Sequence, residues 1–284
     1  MLPQFDNHLS TSLFLWAENR ILNNTQAYIT ATTKLYYMPD SSLGSNYYAY
    51  SSPFKQWVYD SGVQGATILN SVSGSFGTVN KGESGLKVDY VNGRIIVPSS
   101  FGKSLNISGT YSFKELNFYV GSDEQEDILS EYSNGKYVRN PKFNNAANSG
   151  VQPYIITTPA IFITKLNGSN KAFELGGTHD AKRNYSLLIL AEEPYQVDAI
   201  TCVIEDAANK SFPLLTIYDD PINEWGDLKF GYDYNNLKSS KGTPGNLVYI
   251  EAVNSSKISD NFKGPDSLYL GICDIDLSFA RLTS

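Results

Sequence analysis

Residues 27–37, with the sequence AYITATTKLYY, decide the fold class of this chain. β-Branched and aromatic side chains recur along this stretch with a period of two, which is typical of a strand with two different faces. Pro39 and Asp40 follow it and predict a turn. The residues before it have a helical period, so we expect the chain to change from helix to sheet near residue 26.

The residues before this strand predict one long helix, from about residue 8 to residue 24. Its apolar side chains form two adjacent stripes, and Asp6 or Asn7 is a candidate N-terminal cap. Together the stripes are wide enough to dock on a sheet. We expect the helix to dock on its own domain, with docking on a neighbouring subunit as the alternative.

Pairs of Asn and Gly punctuate the sequence after the first strand. Asn92 and Gly93 separate two alternating stretches, which predicts a hairpin with a type I′ turn. Asn167 and Gly168 predict a second hairpin, between residues 160–166 and 172–175. Asn134 and Gly135 are less clearly flanked by strands.

Short apolar stretches separated by turn signals fill the second half of the chain. We expect strands at residues 155–163, 186–191, 199–204, 212–218, 246–252 and 268–279, and a short helix after Ser122. Many short strands with few helices predict a mainly β protein. The expected architecture is an antiparallel β-sandwich or barrel-like domain with an N-terminal amphipathic helix and one or two short helices.

Composition divides the chain into four stretches. Residues 1–26 form the helical segment, and residues 27–131 form a first β-rich region. Residues 132–153 are rich in Asn, Ser and Pro and predict a loop or linker. Residues 154–284 form a second β-rich region, which could also be continuous with the first in one domain.

The charge balance excludes some classes of partner. The 284 residues carry a formal net charge of −7, only 18% are charged, and 20 are Tyr. An acidic chain lacks the basic surface of a specific nucleic-acid binder. No apolar run approaches the roughly 20 residues that span a bilayer, and the first residues lack a standard export signal. We therefore expect synthesis in a host cytoplasm and no membrane partner.

The residues that usually carry catalysis are scarce. The two histidines and two cysteines do not form a typical zinc pattern, and no nucleophile motif is present. We therefore expect a protein that is not an enzyme and has no cofactor. His179, beside Asp180, is the one candidate base, and a hydrolase that uses it is a third, weaker hypothesis.

One acidic stretch is a weak candidate for calcium, because calcium prefers oxygen ligands. Its four carboxylates belong to Asp219, Asp220, Glu224 and Asp227. The spacing is not that of an EF-hand loop, and a solvated loop is the simpler interpretation.

The aromatic cluster at residues 47–59 allows two interpretations. Its rings could stack on sugars, or Trp57 and Tyr59 could face the core or a partner subunit. Together with the N-terminal helix, the cluster supplies our candidate interface residues, which are Leu9, Leu13, Trp16, Tyr47, Tyr48, Tyr50 and Trp57.

Several segments together resemble virion structural proteins of tailed bacteriophages, of the marine and cyanobacterial type. The likeness is carried by residues 13–16, 26–28, 50–58, 82–90, 111–119 and 196–200. It extends over most of the chain at the level of pattern. The resemblance implies a location in a virion, at the neck or tail, and it implies no catalytic residues.

The leading hypothesis is a structural subunit in a ring at the head–tail junction or tail. Its partners would be copies of itself and other virion proteins, since heterologous contacts that close produce rings. The alternative is a β-sandwich carbohydrate-binding module that recognises a receptor or a glycan through the aromatic cluster at residues 47–59.

Overall fold

The structure is a computed structural model that describes residues 4–120, 130–133, 136–139, 159–173, 178–258 and 269–282. The described chain is mainly β, with two large sheets and a long N-terminal helix. This confirms the fold class predicted from the sequence. None of the helices in these ranges has the length and apolar character to span a bilayer.

The helices and strands are as follows. The helices are α1 (Phe5–Thr25), α2 (Pro194–Glu205) and α3 (Tyr234–Lys241). The first sheet contains β1 (Tyr28–Met38), β2 (Tyr47–Ser51), β3 (Ser71–Gly74), β4 (Gly77–Asn80), β5 (Lys87–Asp89), β6 (Arg94–Pro98) and β7 (Ile107–Lys114). The second contains β8 (Asn117–Val120), β11 (Ala160–Phe173), β12 (Thr178–Ala191), β13 (Ser211–Pro213), β14 (Leu247–Ile258) and β15 (Tyr269–Leu282), while β9 (Ser130–Ser133) pairs with β10 (Lys136–Arg139).

The strand order joins distant parts of the sequence. The first sheet runs β4-β3-β7-β1-β2-β6-β5, and the second runs β13-β14-β15-β12-β11-β8. β8 pairs in parallel with β11, whereas the other pairs of the second sheet are antiparallel. Strand β8 therefore leaves the first β-rich stretch of sequence to extend the sheet formed by the second.

Helix α1 docks on its own chain, as expected. It contacts α2, β8 and β13, and one core cluster combines its side chains with those of both sheets. Trp16 stacks on Phe212 with ring centroids 5.4 Å apart, and Phe14 meets Phe118 edge to face at 6.2 Å. The two apolar stripes read from the sequence are thus both buried against the sheets.

The ends of α1 differ from the expectation. The N-cap position is Gln4, which makes no side-chain cap, so the prediction of a cap at Asp6 or Asn7 was wrong. Asp6 lies inside the first turn and instead forms ion pairs with Lys165 and Arg183, at 2.6 and 2.8 Å. Burial acts to raise the pKa of Asp6, but these two cations outweigh it and lower the pKa.

Residues 199–204 form part of α2, so the strand predicted there was wrong. The helix starts with Pro194 and a capping box between Glu193 and Gln196. Val197, Ile200 and Ile204 are its buried side chains, which is a helical spacing. The β-branched content of this stretch had suggested a strand, but the tertiary contacts of one apolar face favour the helix.

The cysteines lie in different elements. Cys202 is exposed on α2 and Cys273 is buried in β15, and both are free thiols. Burial raises the pKa of the Cys273 thiol to about 12. Cys273 therefore acts as a small apolar core residue.

Two of the Asn-Gly pairs form different structures. The β5–β6 hairpin is confirmed, but Asp89 pairs with Arg94, so the loop has four residues and the type I′ turn was wrong. In that loop only Gly93 has a positive φ, of 62°. The second predicted hairpin was wrong, because Asn167 lies within β11, where a register shift separates it from Lys165.

The third pair, at residues 134 and 135, lies outside the described residues, although Ser133 of β9 pairs with Lys136 of β10. Most of the predicted linker, and the predicted helix after Ser122, also lie outside them. The end of β9 and the whole of β10 lie within residues 132–153, where we expected a loop or linker.

Candidate functional site

Beneath α1 lies a buried ion pair between Glu18 and Lys114 of β7, whose side chains are 5% and 3% exposed. The Tyr59 hydroxyl donates to the other carboxylate oxygen of Glu18 at 2.5 Å. The Lys114 ammonium also lies 4.5 Å from the centroid of the Tyr59 ring. Burial, and then the charge of Glu18, raise the pKa of Tyr59. The phenol is therefore held as a neutral donor within a closed network.

A second buried carboxylate ties three elements together. Asp60 accepts hydrogen bonds from the Asn19 side chain at 2.7 Å and from the backbone N–H groups of Gly62 and Tyr234 at 2.8 and 3.0 Å. Burial raises the pKa of Asp60, although these donors act in the opposite direction. The contacts connect α1, the loop after β2 and the start of α3, which is a structural role.

The four calcium candidates do not converge. Asp219 forms an ion pair with Lys241 at 2.9 Å, and Asp227 forms one with Lys81 at 2.5 Å. Asp220 accepts from the Ile222 N–H, and Glu224 accepts from the indole of Trp225. Within the described residues no group of three or more His, Cys, Asp or Glu side chains could hold a metal ion. Each carboxylate is engaged separately.

The two histidines offer little geometry for catalysis. His8 is half-buried in the first turns of α1, and its Nε2 has no hydrogen-bond partner among the described residues. His179 lies on β12, opposite Ala172 of β11, and its side chain lies outside the described part of the structure. The hypothesis of a base at His179 therefore stays a prediction.

Five of the seven candidate interface residues are buried inside the chain. These core residues are Leu9, Leu13, Trp16, Tyr50 and Trp57. Trp57 stacks on Tyr111 with centroids 4.3 Å apart, and its indole donates to the Phe54 carbonyl at 3.1 Å. These side chains have no surface for a partner or a sugar in this conformation. Tyr47 and Tyr48 are half-buried and stay candidates.

Tyr47 belongs to a small aromatic cluster at the surface that the sequence did not reveal. Its ring lies 5.7 Å from that of Trp225, and the Lys87 ammonium lies 3.5 Å from the Trp225 centroid. Trp225 also borders a cleft of about 530 Å³ that is lined by polar side chains, among them Asn92 and Glu224. Because Tyr47 and Trp225 are distant in sequence, only the fold brings them together.

A larger groove of about 570 Å³ lies between the end of β7 and α2. Phe54 and Phe113 stack in it with centroids 4.0 Å apart, and Tyr195 is exposed at its border. Lys55 also lines this groove, and burial lowers the pKa of its ammonium to about 8. The groove combines an aromatic floor with amide side chains, but nothing in it nominates a reacting group.

Strand β1 pairs with β7 along its first part and with β2 only near its end. Residues 28–35 pair with β7, whereas β2 pairs only with residues 36–38. We call residues 28–34 the free edge. Ile29 is 45% exposed there, and Thr30, Thr32 and Lys34 are exposed. Lys34 is the only charged residue of this edge, which otherwise reads YITATT.

The backbone direction along the free edge follows from the contacts of β7. Ser112 directs its N–H to Thr67 and its carbonyl to Val58, away from β1. Thr30 pairs with Ser112, so its own N–H and carbonyl also point away from β7. Thr32 and Lys34 follow Thr30 in steps of two residues, so their N–H and carbonyl groups also point away from β7. Among the described residues, the outward backbone groups of these three positions have no partner.

One face of this part of the first sheet carries a row of hydroxyl groups. Thr30 bonds to Ser112 and Thr32 bonds to Thr110, each with 2.7 Å between the oxygens. Ser73 of β3 extends the row through Thr78 of β4, at 3.0 Å. We call this row the hydroxyl face. Ser112 is buried, whereas Thr30 and Thr32 are exposed, so the exposed part of the hydroxyl face lies at the free edge.

No protein-family model matches the chain, and no curated protein matches it closely enough to be counted as similar.

Proposed function

We propose that this protein is a non-enzymatic structural subunit of a tailed-phage virion, positioned in a ring at the neck or tail. It would act through packing against copies of itself and against other virion proteins. The observation that carries the proposal is the free edge of β1, where the outward backbone groups of Thr30, Thr32 and Lys34 have no partner among the residues that the structure describes. An unpaired strand edge is a ready template for pairing with another chain.

The character of the surface supports a role in assembly. Only 18% of the residues are charged, and the hydroxyl face adjoins the free edge. Neutral surfaces of this kind suit broad, hydrogen-bonded contacts that lose little on desolvation, because charged groups are depleted at the centres of interfaces. The exposed side chains of Ile29, Val120 and Leu166 add apolar area to such contacts.

The resemblance to virion proteins supplies the setting, and the test is the particle itself. Gradient-purified particles from the virus that encodes the chain should contain it by mass spectrometry. A gold-tagged antibody against the chain should then label the neck or tail in electron micrographs. A chain absent from purified particles would contradict the proposal, and label spread over the whole head would contradict the position.

Glycan recognition is a second candidate, because Tyr47 and Trp225 lie beside a cleft lined by polar side chains. Aromatic rings beside hydrogen-bonding groups are suited to sugar binding. A glycan array should then give binding that Trp225→Ala removes while circular dichroism stays unchanged. Binding that persists in Trp225→Ala, or no binding to any glycan, would count against this candidate. Trp57→Ala is unsuitable as the test, because Trp57 is a buried core residue.

A further inference from the structure

We infer that two copies of this chain pair through their β1 strands, antiparallel, about a twofold axis at Ala31. The two first sheets would then form one continuous sheet across the interface. This inference deepens the proposed function and rests on it for the premise that copies of the chain assemble. It names the contact, the partner and the register.

The register follows from which backbone groups are available. The outward groups belong to even-numbered residues, so they can bond only to even-numbered residues of the second strand. A twofold axis at Ala31 places Thr30 opposite Thr32 of the second copy, and Tyr28 opposite Lys34. Each Thr30–Thr32 pair can exchange two backbone hydrogen bonds. Each Tyr28–Lys34 pair can form one, because the Tyr28 N–H already donates to the Gln26 carbonyl at 2.7 Å. Ala31 then faces the second copy's Ala31 in a non-hydrogen-bonded pair.

The length of the free edge also indicates a twofold axis at Ala31. β2 begins to pair at Tyr36, and the free edge runs from Tyr28 to Lys34. Its midpoint is Ala31, so a twofold axis there aligns the whole free edge of one copy with that of the other. A shift of the axis in either direction would leave more outward groups unpaired at both ends.

The side chains are self-complementary in this register. Lys34, the only charged residue of the free edge, lies opposite Tyr28, so no like charges oppose each other. The hydroxyls of Thr30 and Thr32 lie side by side across the interface, which continues the hydroxyl face from one copy to the next. Small Ala31 allows close approach at the axis.

The two end strands of the first sheet, β4 and β5, are less suited to accept a strand. They have only four and three residues, and Glu83 already accepts a hydrogen bond from the Asn80 N–H of β4 at 3.1 Å. The free edge of β1 has seven residues. A second copy presents an edge of matching length and pattern, and such isologous contacts close after two copies. A ring would then be built from these pairs through a further surface.

Disulfide trapping tests the register directly. In a Cys202→Ser background, which removes the exposed native thiol, Ala31→Cys should form an intermolecular disulfide under mild oxidation. The matched control is Thr33→Cys on the same strand. In the inferred register the two Thr33 positions are four residues apart along the strands, or about 13 Å, which is too far for a disulfide. No trapping at position 31, or trapping at position 33 alone, would overturn the inference.

A proline variant tests the contact independently of cysteine chemistry. Thr32→Pro removes an outward N–H and leaves the bonds between β1 and β7 intact, as proline on an edge strand can. It should weaken dimerisation at least about tenfold, since each copy loses a hydrogen bond across the axis. Thr32→Val keeps the N–H and should still dimerise. Light scattering after gel filtration would measure both variants, with circular dichroism as the check of folding.

The outcomes separate this inference from the proposed function. Assembly that persists in Thr32→Pro, with no trapping at position 31, would overturn the β1 pairing while the chain could still be found in particles. Trapping at position 31 in a chain that is absent from particles would support the pairing and contradict the virion role.

Discussion

The inner face of α1 and the free edge of β1 are neighbours in the chain, separated only by Gln26 and Ala27. They differ in whether their polar groups have partners within the chain. On α1 the buried side chains of Glu18 and Asn19 are each bonded to a partner, Lys114 and Asp60. On the free edge the outward backbone groups of Thr30 have no partner within the described part of the chain.

The difference separates stability from association. Removing one partner from a buried polar pair leaves the other group desolvated and unpaired, which costs free energy of unfolding. A backbone group at an exposed edge is bonded to water, so substitutions there cost little stability. Such substitutions instead change which strand the edge can bind. Changes beneath α1 should therefore affect unfolding, and changes on the free edge should affect association.

The largest expected effect is on the buried ion pair. Glu18→Ala should lower the free energy of unfolding by about 3–5 kcal/mol, because it leaves the Lys114 ammonium buried without its carboxylate. The shift of the denaturant midpoint would measure it. The double variant Glu18→Leu with Lys114→Met should recover part of the loss, since an apolar pair needs no charge partner, while the buried Tyr59 hydroxyl still lacks its acceptor. A single variant as stable as the parent chain would contradict the buried pairing.

The second-largest expected effect is the loss of unfolding free energy on truncating a buried leucine, compared with an exposed one. Leu13 on α1 is 0% exposed, whereas Leu166 on β11 is 54% exposed. Leu13→Ala should cost about 3 kcal/mol through lost burial and the cavity left behind. Leu166→Ala should cost less than about 0.5 kcal/mol. Equal losses in the two variants, measured by urea unfolding, would mean that α1 is not packed as described.

Much of the α1 side of this comparison could be predicted from the sequence. The periodic apolar stripes located the helix to within three residues at its start, Phe5, and one at its end, Thr25. The period-two pattern located β1 in the same way. In both cases the signal is local, because one element must present one apolar face to a core.

The edge, the bulge and the site residues could not be predicted because they depend on distant partners. The sequence of β1 contains no pattern that predicts pairing with β2 only from Tyr36 onward. Asn167 and Gly168 carry the same local turn signal as a hairpin, yet they lie within β11 because β12 pairs along its whole length. Trp225 meets Tyr47 only after folding.

A smaller effect concerns pH and the second buried carboxylate beneath α1. Burial raises the pKa of Asp60 above its usual value of 3.8, so the folded state holds this proton more tightly than the unfolded chain. The stability that Asp60 contributes is therefore present below the unfolded pKa and is lost as pH rises through the folded pKa. Asp60→Asn should remove this dependence. From pH 4 to pH 7, the unfolding free energy of the parent should therefore fall relative to that of Asp60→Asn.

Asn19→Ala provides the control, because it removes one donor to Asp60 and keeps the carboxylate. The pH dependence should persist in that variant and become steeper, since the ionised form loses a hydrogen bond. A parent chain that gains stability relative to Asp60→Asn as pH rises would contradict the direction of the pKa shift.

The smallest expected effect is the response of β1 pairing to salt. Across the inferred interface the only charged side chain is Lys34, which lies opposite Tyr28, so there is no ion pair for salt to screen. Each copy has a formal net charge of −7, and salt also screens the repulsion between the two copies. The dimer dissociation constant should therefore change less than about threefold between 50 and 500 mM NaCl, with slightly tighter binding at high salt.

The double variant Thr30→Glu with Thr32→Lys sharpens this last test, because the inferred register places each new glutamate opposite a new lysine of the second copy. Its dimer should be tighter than the parent dimer at low salt and should lose that advantage at high salt. Sedimentation at several salt concentrations would measure both proteins. A parent dimer that weakens tenfold with added salt would mean that ion pairs hold the copies together, and the neutral edge of β1 would then not be the contact. A double variant with the parent's salt response would mean that residues 30 and 32 do not face each other, because charges placed in register must respond to screening.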